Sequence, residues 1–144
     1  MRPWFLIALL AYPLMFSAAS AEGIGAFAGL WRTARHGALV EITDCGNTTP
    51  CGALAWASAP VFEGNTQDIR NRNLALRERP LLGVPILWGF APDGTGWQNG
   101  GVYNPEDGKT FRAKLQLLSK YELRVTGCFG PLCRSQIWTR LTTP

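Results

Sequence analysis

The chain of 144 residues carries 14 Lys or Arg, 10 Asp or Glu and one His, which gives a formal net charge of +4 at pH 7. This positive excess is small, and no basic patch interleaved with aromatic residues accompanies it, so the composition does not indicate nucleic-acid binding. Beyond the first 21 residues, the length is that of one domain with a hydrophobic core of its own.

The first segment has the order of a cleavable secretory signal. Arg2 precedes an apolar run from Trp4 to Phe16, and Ala19-Ser20-Ala21 supplies the small residues of a cleavage site. The run is too short to span a bilayer comfortably, so a retained membrane anchor is the less favoured alternative. The sequence therefore predicts a cleaved leader over residues 1–21 and a single exported domain over residues 22–144, with no stable membrane span.

Short apolar or alternating runs fill the mature chain, and turn residues separate them. Residues 26–33 and 37–43 predict a first hairpin that turns at residues 34–37. Residues 52–58 follow a loop between two cysteines and predict a further strand, since large apolar residues alternate with alanines there.

The segment LLGVPILWGF, residues 81–90, is almost continuously apolar, which predicts a strand buried on both faces. Because proline lacks an N–H, Pro85 predicts a bend or a gap in the ladder. Strict alternation would place four side chains on one face as an apolar wall: Val84, Ile86, Trp88 and Phe90.

Residues 109–117 show the clearest strand pattern, with polar side chains on one face and four apolar ones on the other: Phe111, Ala113, Leu115 and Leu117. Residues 121–127 repeat the pattern after only Ser119 and Lys120, which predicts a hairpin. Residues 134–141 form the last run.

About eight strands joined mostly by short turns predict an all-β fold, either an up-and-down antiparallel barrel or a sandwich. The irregular piece is residues 60–80, which can contain one helical turn and is long enough to cover a barrel mouth.

The stretch GWQNGGVYNPEDGKTF, residues 96–111, has the polar residues of a metal loop but the spacing of turns. Asn99-Gly100 fits a tight turn or bulge, and Asp107-Gly108 closes a turn that begins near Pro105. A calcium loop requires oxygen ligands at alternate positions and a distal Glu, which this stretch lacks. We predict turns here, and no metal or cofactor.

All four cysteines follow the leader: Cys45, Cys51, Cys128 and Cys133. In an oxidising compartment an even number predicts disulfides, and three pairings are possible. The two local pairings are favoured because each pair brackets a loop that contains Gly or Pro. A four-cysteine zinc site is the rival interpretation, with spacing and compartment against it.

The sequence offers little catalytic machinery. His36, the single histidine, lies in a predicted turn, and no G-x-S-x-G motif provides an activated serine. His36 is interpreted as a solvated turn residue rather than a general base. We therefore predict no catalytic residues and no enzyme activity, with a hydrolase as the low-ranked alternative.

Two features resemble the signature of lipocalin-like barrels. Gly29-Leu30-Trp31 is a G-x-W at the start of the first strand, and Arg140 lies near the end of the last. In lipocalin-like folds such a Trp closes the base of the barrel beneath an Arg from the final strand, whose guanidinium covers the aromatic face. Trp31 and Arg140 are therefore expected to close the barrel.

Nearly the whole mature chain resembles the bacterial exported family called domain of unknown function 2147. The motifs that carry the resemblance are, in order, GLWRT, HGALVEI, DCG, CGAL, LRERPLLG, GGVYNPEDGKTF and CRSQIWTR. The resemblance implies a small lipocalin-like β-barrel in a periplasmic or secreted bacterial protein, and it implies no particular activity. The long first loop, CGNTTPC, departs from the family pattern.

An eight-stranded barrel can be filled by side chains or can hold one small ligand. We favour non-covalent binding of a small hydrophobic or amphipathic molecule, including acidic amphiphiles, with apolar lining from Trp56, Trp88, Phe90 and Trp97 and a further ring from Phe111. The alternative is that these rings are simply the core.

Arg77 and Arg79 are two residues apart and can present two guanidiniums to a carboxylate. The competing interpretation pairs these arginines with Asp68 and Glu78 to hold the loop. Arg134 and Gln136 are expected to add further polar contacts, and the remaining function class is an envelope module that docks a protein or glycan through exposed aromatic residues.

Overall fold

The computed structural model describes residues 23–142, so the predicted signal over residues 1–21 lies outside the described residues. Within them the chain forms one short helix and nine strands, joined by turns and two short 3-10 helices, Ala59–Phe62 and Leu74–Leu76. The elements are α1 (Ile24–Phe27), β1 (Gly29–Arg32), β2 (Leu39–Asp44), β3 (Pro50–Trp56), β4 (Pro85–Trp88), β5 (Ala91–Asp93), β6 (Gly96–Asn104), β7 (Lys109–Ser119), β8 (Glu122–Phe129) and β9 (Leu132–Arg140).

The strands close into an antiparallel barrel. Strands β1 to β4 pair in chain order, β6 to β9 do the same, and the sheet closes through β4 with β6 and β9 with β1. Short β5 also pairs with β6, beyond the β4 contact, and so continues β4 after a break. The barrel therefore has eight strand positions, because β4 and β5 together occupy one of them. This confirms the predicted up-and-down antiparallel barrel of about eight strands.

Alternation along β7 places the apolar side chains inward, as predicted. Ala113 and Leu115 are buried, whereas Arg112, Lys114 and Gln116 are exposed. The predicted hairpins are present: β7 pairs with β8 up to Ser119 and Glu122, and β1 pairs with β2 across the turn at residues 34–37. Period-two patterning fixes this register, since a slip of one residue would expose the whole apolar set.

The predicted common face of residues 84–90 is wrong at one position. Opposite β3, Pro85 pairs with Ala53 and Leu87 with Gly52, so β4 has one extra residue there. Such a bulge reverses the alternation beyond it. Leu87 is therefore completely buried, while Trp88 lies on the outer face and is 36% exposed.

The base of the barrel is closed by a tryptophan under an arginine. Trp31 is completely buried, and the guanidinium carbon of Arg140 lies 4.2 Å from the centre of its ring. The same guanidinium donates hydrogen bonds to three carbonyl oxygens, those of Ala26, Ala28 and Lys120. Burial lowers the pKa of Arg140. The expected contact between Trp31 and Arg140 is present and seals this end.

Gly29 makes room for that arginine. Its φ is +133°, and a Cβ added there would lie only 2.6 Å from Nη1 of Arg140. The backbone conformation and the space both require glycine. The G-x-W spacing thus has a physical cause, because the glycine two residues before Trp31 leaves the gap that the covering guanidinium occupies.

We expect Gly29→Ala to lower the free energy of unfolding by about 1–3 kcal/mol, the usual effect of strained backbone, with added loss from the displaced Arg140. Gly25→Ala is the matched control, because nothing lies within 4 Å of a Cβ there and alanine is favoured in a helix. Urea denaturation of the mature protein measures both. Similar destabilisation by the two variants would contradict this account.

Candidate functional site: a cavity open at one end of the barrel

The barrel interior contains a cavity of about 420 Å³ at the end opposite Trp31. The turns β1–β2, β6–β7 and β8–β9 surround its mouth, together with the start of the β3–β4 connection. Its walls are mainly apolar and come from most of the barrel strands: Val40, Leu54, Ile86, Val102, Phe111, Val125 and Trp138. The cavity is thus a cup with hydrophobic walls and one end open to solvent.

Two polar side chains of β9 project into this cup. Gln136 pairs with Val125, and Arg134 pairs with Gly127, on the inner face of the β8–β9 ladder. Gln136 accepts a hydrogen bond of 3.3 Å from Nε1 of Trp138. Within residues 23–142 Arg134 has neither a hydrogen bond from its side chain nor an ion pair. Its guanidinium is therefore free at the mouth.

His36 and Glu106 join two turns across the rim. The Nδ1 of His36 lies 2.6 Å from Oε1 of Glu106, although the residues are 70 positions apart. His36 has a φ of 60°, a left-handed conformation that the tight turn imposes. It is an exposed turn residue, as predicted, but its pairing could not be read from the sequence because the contact depends on barrel closure.

The β8–β9 hairpin tip forms an apolar lip beside the mouth. Phe129 and Leu132 line the entrance and are 71% and 76% exposed. The Cys128–Cys133 disulfide clamps the strands behind this tip, and Cys45–Cys51 clamps the β2–β3 loop. These are the two local pairings favoured from the sequence.

The polar residues of the 96–111 stretch form a bulge within β6 and the turn between β6 and β7. Asn99 has a φ of 56° where the β6–β7 register shifts, so Asn99-Gly100 is a bulge. Gly108, with a φ of 71°, donates its N–H to the carbonyl of Asn104, and Asp107 accepts from the N–H of Lys109. The turn interpretation of residues 96–111 is confirmed.

The four aromatic residues predicted to line a ligand site are not brought together. Phe90 packs over Gly100 and Trp97 lies edge-on to Phe27, both deep in the core. Trp56 is 48% exposed at the end of β3, and Trp88 is on the outer face. Of the predicted rings, Phe111 alone faces the cavity.

Arg77 and Arg79 hold the long segment of residues 60–80 instead of facing the cavity. Arg79 donates through Nε to Asp68 at 2.9 Å, and Arg77 donates through Nε to the carbonyl of Asn71 at 2.7 Å. The pairing of Arg79 with Asp68 was the competing interpretation of this motif. Only Val61 and Phe62 of the segment reach the mouth of the cavity.

Asp68 is the anchor of that segment on the barrel wall. Its carboxylate is almost completely buried and accepts from Tyr103 Oη at 2.6 Å, Arg79 Nε and Asn71 Nδ2. Burial, and then the hydrogen bond and charge of Asp68, raise the pKa of Tyr103 well above its usual range. The segment therefore covers the outer wall more than the mouth.

Sequence reasoning missed several residues at the mouth: Arg35, Glu106, Phe129 and Leu132. A signal for them was present in the strand count. In an up-and-down barrel alternate connections lie at the same end. The turns near His36, Glu106 and Phe129 therefore lie at one end, together with the β3–β4 connection.

The protein has a lipocalin-like fold: a closed eight-stranded antiparallel barrel with a cavity at one end and an arginine-covered tryptophan at the other. The chain belongs to the family described as "Uncharacterized protein conserved in bacteria (DUF2147)", whose profile matches residues 29–140.

A solved structure supports the fold. The chain is 24% identical to "Protein HP1028 from the human pathogen Helicobacter pylori", which is described as belonging to the lipocalin family, with a TM-score of 0.68 over 80% of this chain and 82% of that one. At this identity the similarity shows the fold alone. A comparison with curated proteins gave no significant match. No helix within residues 23–142 is long and apolar enough to cross a membrane.

We expect Tyr103→Phe to lower the free energy of unfolding by about 1–3 kcal/mol near neutral pH, because Asp68 loses a buried donor. The difference from wild type should shrink above pH about 10, the ordinary tyrosine pKa. There the unfolded chain ionises Tyr103 while the folded chain, whose pKa is raised, does not. The unfolded state then binds fewer protons, so wild-type stability falls as pH rises.

Urea denaturation of wild type and Tyr103→Phe at pH about 8 and about 11 measures this difference. Because both proteins share every other titrating group, their difference isolates Tyr103. A stability gap that stays constant between the two pH values would show that the phenol ionises alike in the folded and unfolded states.

Proposed function

We propose that the barrel cavity binds a small amphipathic molecule that carries an acidic group. The observation that carries this proposal is Arg134, a guanidinium without a partner in the described chain on the inner face of a mainly apolar cup, whose rim also contains Arg35, Glu106 and Asp107. The ligand's apolar part would lie against Val102, Phe111 and Val125, and its acid would pair with Arg134.

Size and shape support binding. Small-molecule sites measure roughly 300–1,000 Å³, and the cavity of about 420 Å³ falls within that range. Its closed base leaves the mouth as the route of entry, past the apolar lip of Phe129 and Leu132. An alkyl chain entering this way exchanges water for the apolar walls, which is favourable in proportion to the area buried.

Arg134 suits the anion contact better than the pair chosen from the sequence. Arg79 already neutralises Asp68, and Arg77 is hydrogen-bonded to the backbone of its own loop. Neither lines the interior cavity. Arg134, by contrast, has no carboxylate partner in the described chain, and Gln136 lies next to it on the same inner face.

The disulfides and the bacterial family support a role outside the cytoplasm. Two disulfides and membership of a bacterial family are consistent with an oxidising compartment. We propose that the protein acts in the periplasm or is secreted, after removal of residues 1–21, and that its ligand is held non-covalently without catalysis.

We expect Arg134→Gln to weaken binding of decanoic acid about tenfold or more, the usual effect of losing one charge-assisted hydrogen bond. Binding of decanol should change little, because it has no anion to lose. Isothermal titration calorimetry measures both ligands, and Arg77→Gln serves as the control that leaves acid binding unchanged. Equal losses of decanoic acid and decanol binding in Arg134→Gln would indicate misfolding. Weaker acid binding in Arg77→Gln alone would place the anion contact in residues 60–80 instead of at Arg134.

We also expect protein purified from a periplasm to carry a discrete excess mass in native mass spectrometry that denaturation removes. Gly127→Leu should lower the fraction of protein that carries this excess, because a Cβ at this position would already lie 3.4 Å from Phe111 and Val102 and a longer side chain would occupy part of the cup. An unchanged fraction in Gly127→Leu would place the carried molecule elsewhere.

A second candidate function is docking of an envelope protein by the hairpin tip. The observation in its favour is the exposure of Phe129 and Leu132 on a disulfide-clamped turn. If the native and denatured masses agree, a pull-down from envelope extract with wild type and with Phe129→Ser/Leu132→Ser decides this candidate. Capture that depends on the two side chains supports it.

A further inference from the structure

A second concave site lies on the outside of the barrel, separate from the interior cavity. It is a cleft of about 800 Å³ between the segment of residues 71–79 and the outer faces of β3, β4 and β6. Strand β6 lies between the two spaces, since Val102 lines the interior cavity while its neighbour Gly101 lies under Trp88 on the outside. Tyr103 of the same strand borders both spaces. The cleft has mainly apolar walls, which include Leu76, Pro85 and Trp88.

The indole of Trp88 packs against Gly101 and lines this cleft. A Cβ added at Gly101 would lie 2.9, 3.0 and 3.2 Å from Cε2, Cζ2 and Nε1 of Trp88, so the indole ring rests across the glycine backbone. The side chain is nevertheless 36% exposed and lines the cleft. The indole is therefore held against β6 at Gly101, and its exposed part is open to a ligand in the cleft.

The charge of the cleft is positive. Arg72 and Arg79 line it, and no Asp or Glu side chain is among its lining residues. Arg79 is paired with Asp68. Arg72 makes no side-chain hydrogen bond and no ion pair within the part of the chain that the structure describes. An unneutralised guanidinium and a partly exposed indole in one cleft can together recognise an anionic group attached to a ring.

We propose that this outer cleft is a second binding site, selective for a small anion that carries a planar apolar ring. The ring stacks on the exposed face of Trp88 above Gly101, its edge contacts Leu76 and Pro85, and its acidic group pairs with Arg72. The site does not depend on the interior cavity, so the outer cleft can be occupied whether or not the barrel holds a ligand.

Anilinonaphthalene sulfonate matches this chemistry, and phenylnaphthylamine is the same molecule without the sulfonate. In the Gly127→Leu background, where the added side chain narrows the interior cavity beside Phe111 and Val102, we expect the sulfonate probe still to bind, by fluorescence and calorimetry. Adding Arg72→Gln should weaken the sulfonate about tenfold or more and leave the neutral probe unchanged. Adding Gly101→Ala, which must displace Trp88, should weaken both probes.

Arg124→Gln is the matched control, because Arg124 lies on β8 and bonds to Gln116, outside the cleft. It should change neither probe. Complete loss of sulfonate binding in Gly127→Leu alone, or binding that ignores both Arg72→Gln and Gly101→Ala, would overturn the proposal.

A measurement on the wild-type protein avoids dependence on Gly127→Leu. The indole N–H signal of Trp88 is identified in an NMR spectrum by its loss in Trp88→Phe, and the sulfonate probe is then added to wild type. We expect that signal to shift, with a smaller shift in Arg72→Gln at the same probe concentration. A Trp88 signal that does not move at saturating probe would also overturn the proposal.

Discussion

The contact between Arg140 and Trp31 is the constraint on which the rest of the molecule depends. It joins the last strand to the first, and it ties both to the carbonyl groups around α1. A barrel has no free sheet edges once it closes, but its ends still need covering. Because this pair plugs one end, the apolar space inside can open only at the other, where the polar rim lies.

The interior cavity and the outer cleft lie on opposite faces of the same part of the barrel wall. Along β6, alternation sends Val102 into the cavity and leaves Gly101 facing outward, where Trp88 covers it. The buried Asp68 network then holds residues 71–79 against that outer face and creates the cleft. Gly101 thus leaves room for the Trp88 ring on the outer wall, and the buried Asp68 holds residues 71–79 beside it, so that together they form the cleft.

Charge is distributed according to burial. Arg79 lies beside a buried carboxylate and Arg140 lies over a buried ring, so both serve the fold. Arg72 and Arg134 line open spaces and have no such partner in the described chain. A buried charge must be compensated within the protein, whereas a charge at a mouth can be compensated by a ligand. This difference separates structural from candidate functional arginines here.

The sequence by itself determined the strands and hairpins, because these depend on local alternation and turn residues. Alternation left a barrel and a sandwich both possible, and the resemblance carried by Gly29-Leu30-Trp31 and Arg140 favoured the barrel and its closing pair. Only the tertiary structure decided the site. The bulge at Pro85 turned Trp88 outward, and Asp68 captured Arg79, so the rings and arginines chosen from the sequence did not meet in the interior. Arg134 faces the cavity because of register and closure, which arise between strands distant in the chain.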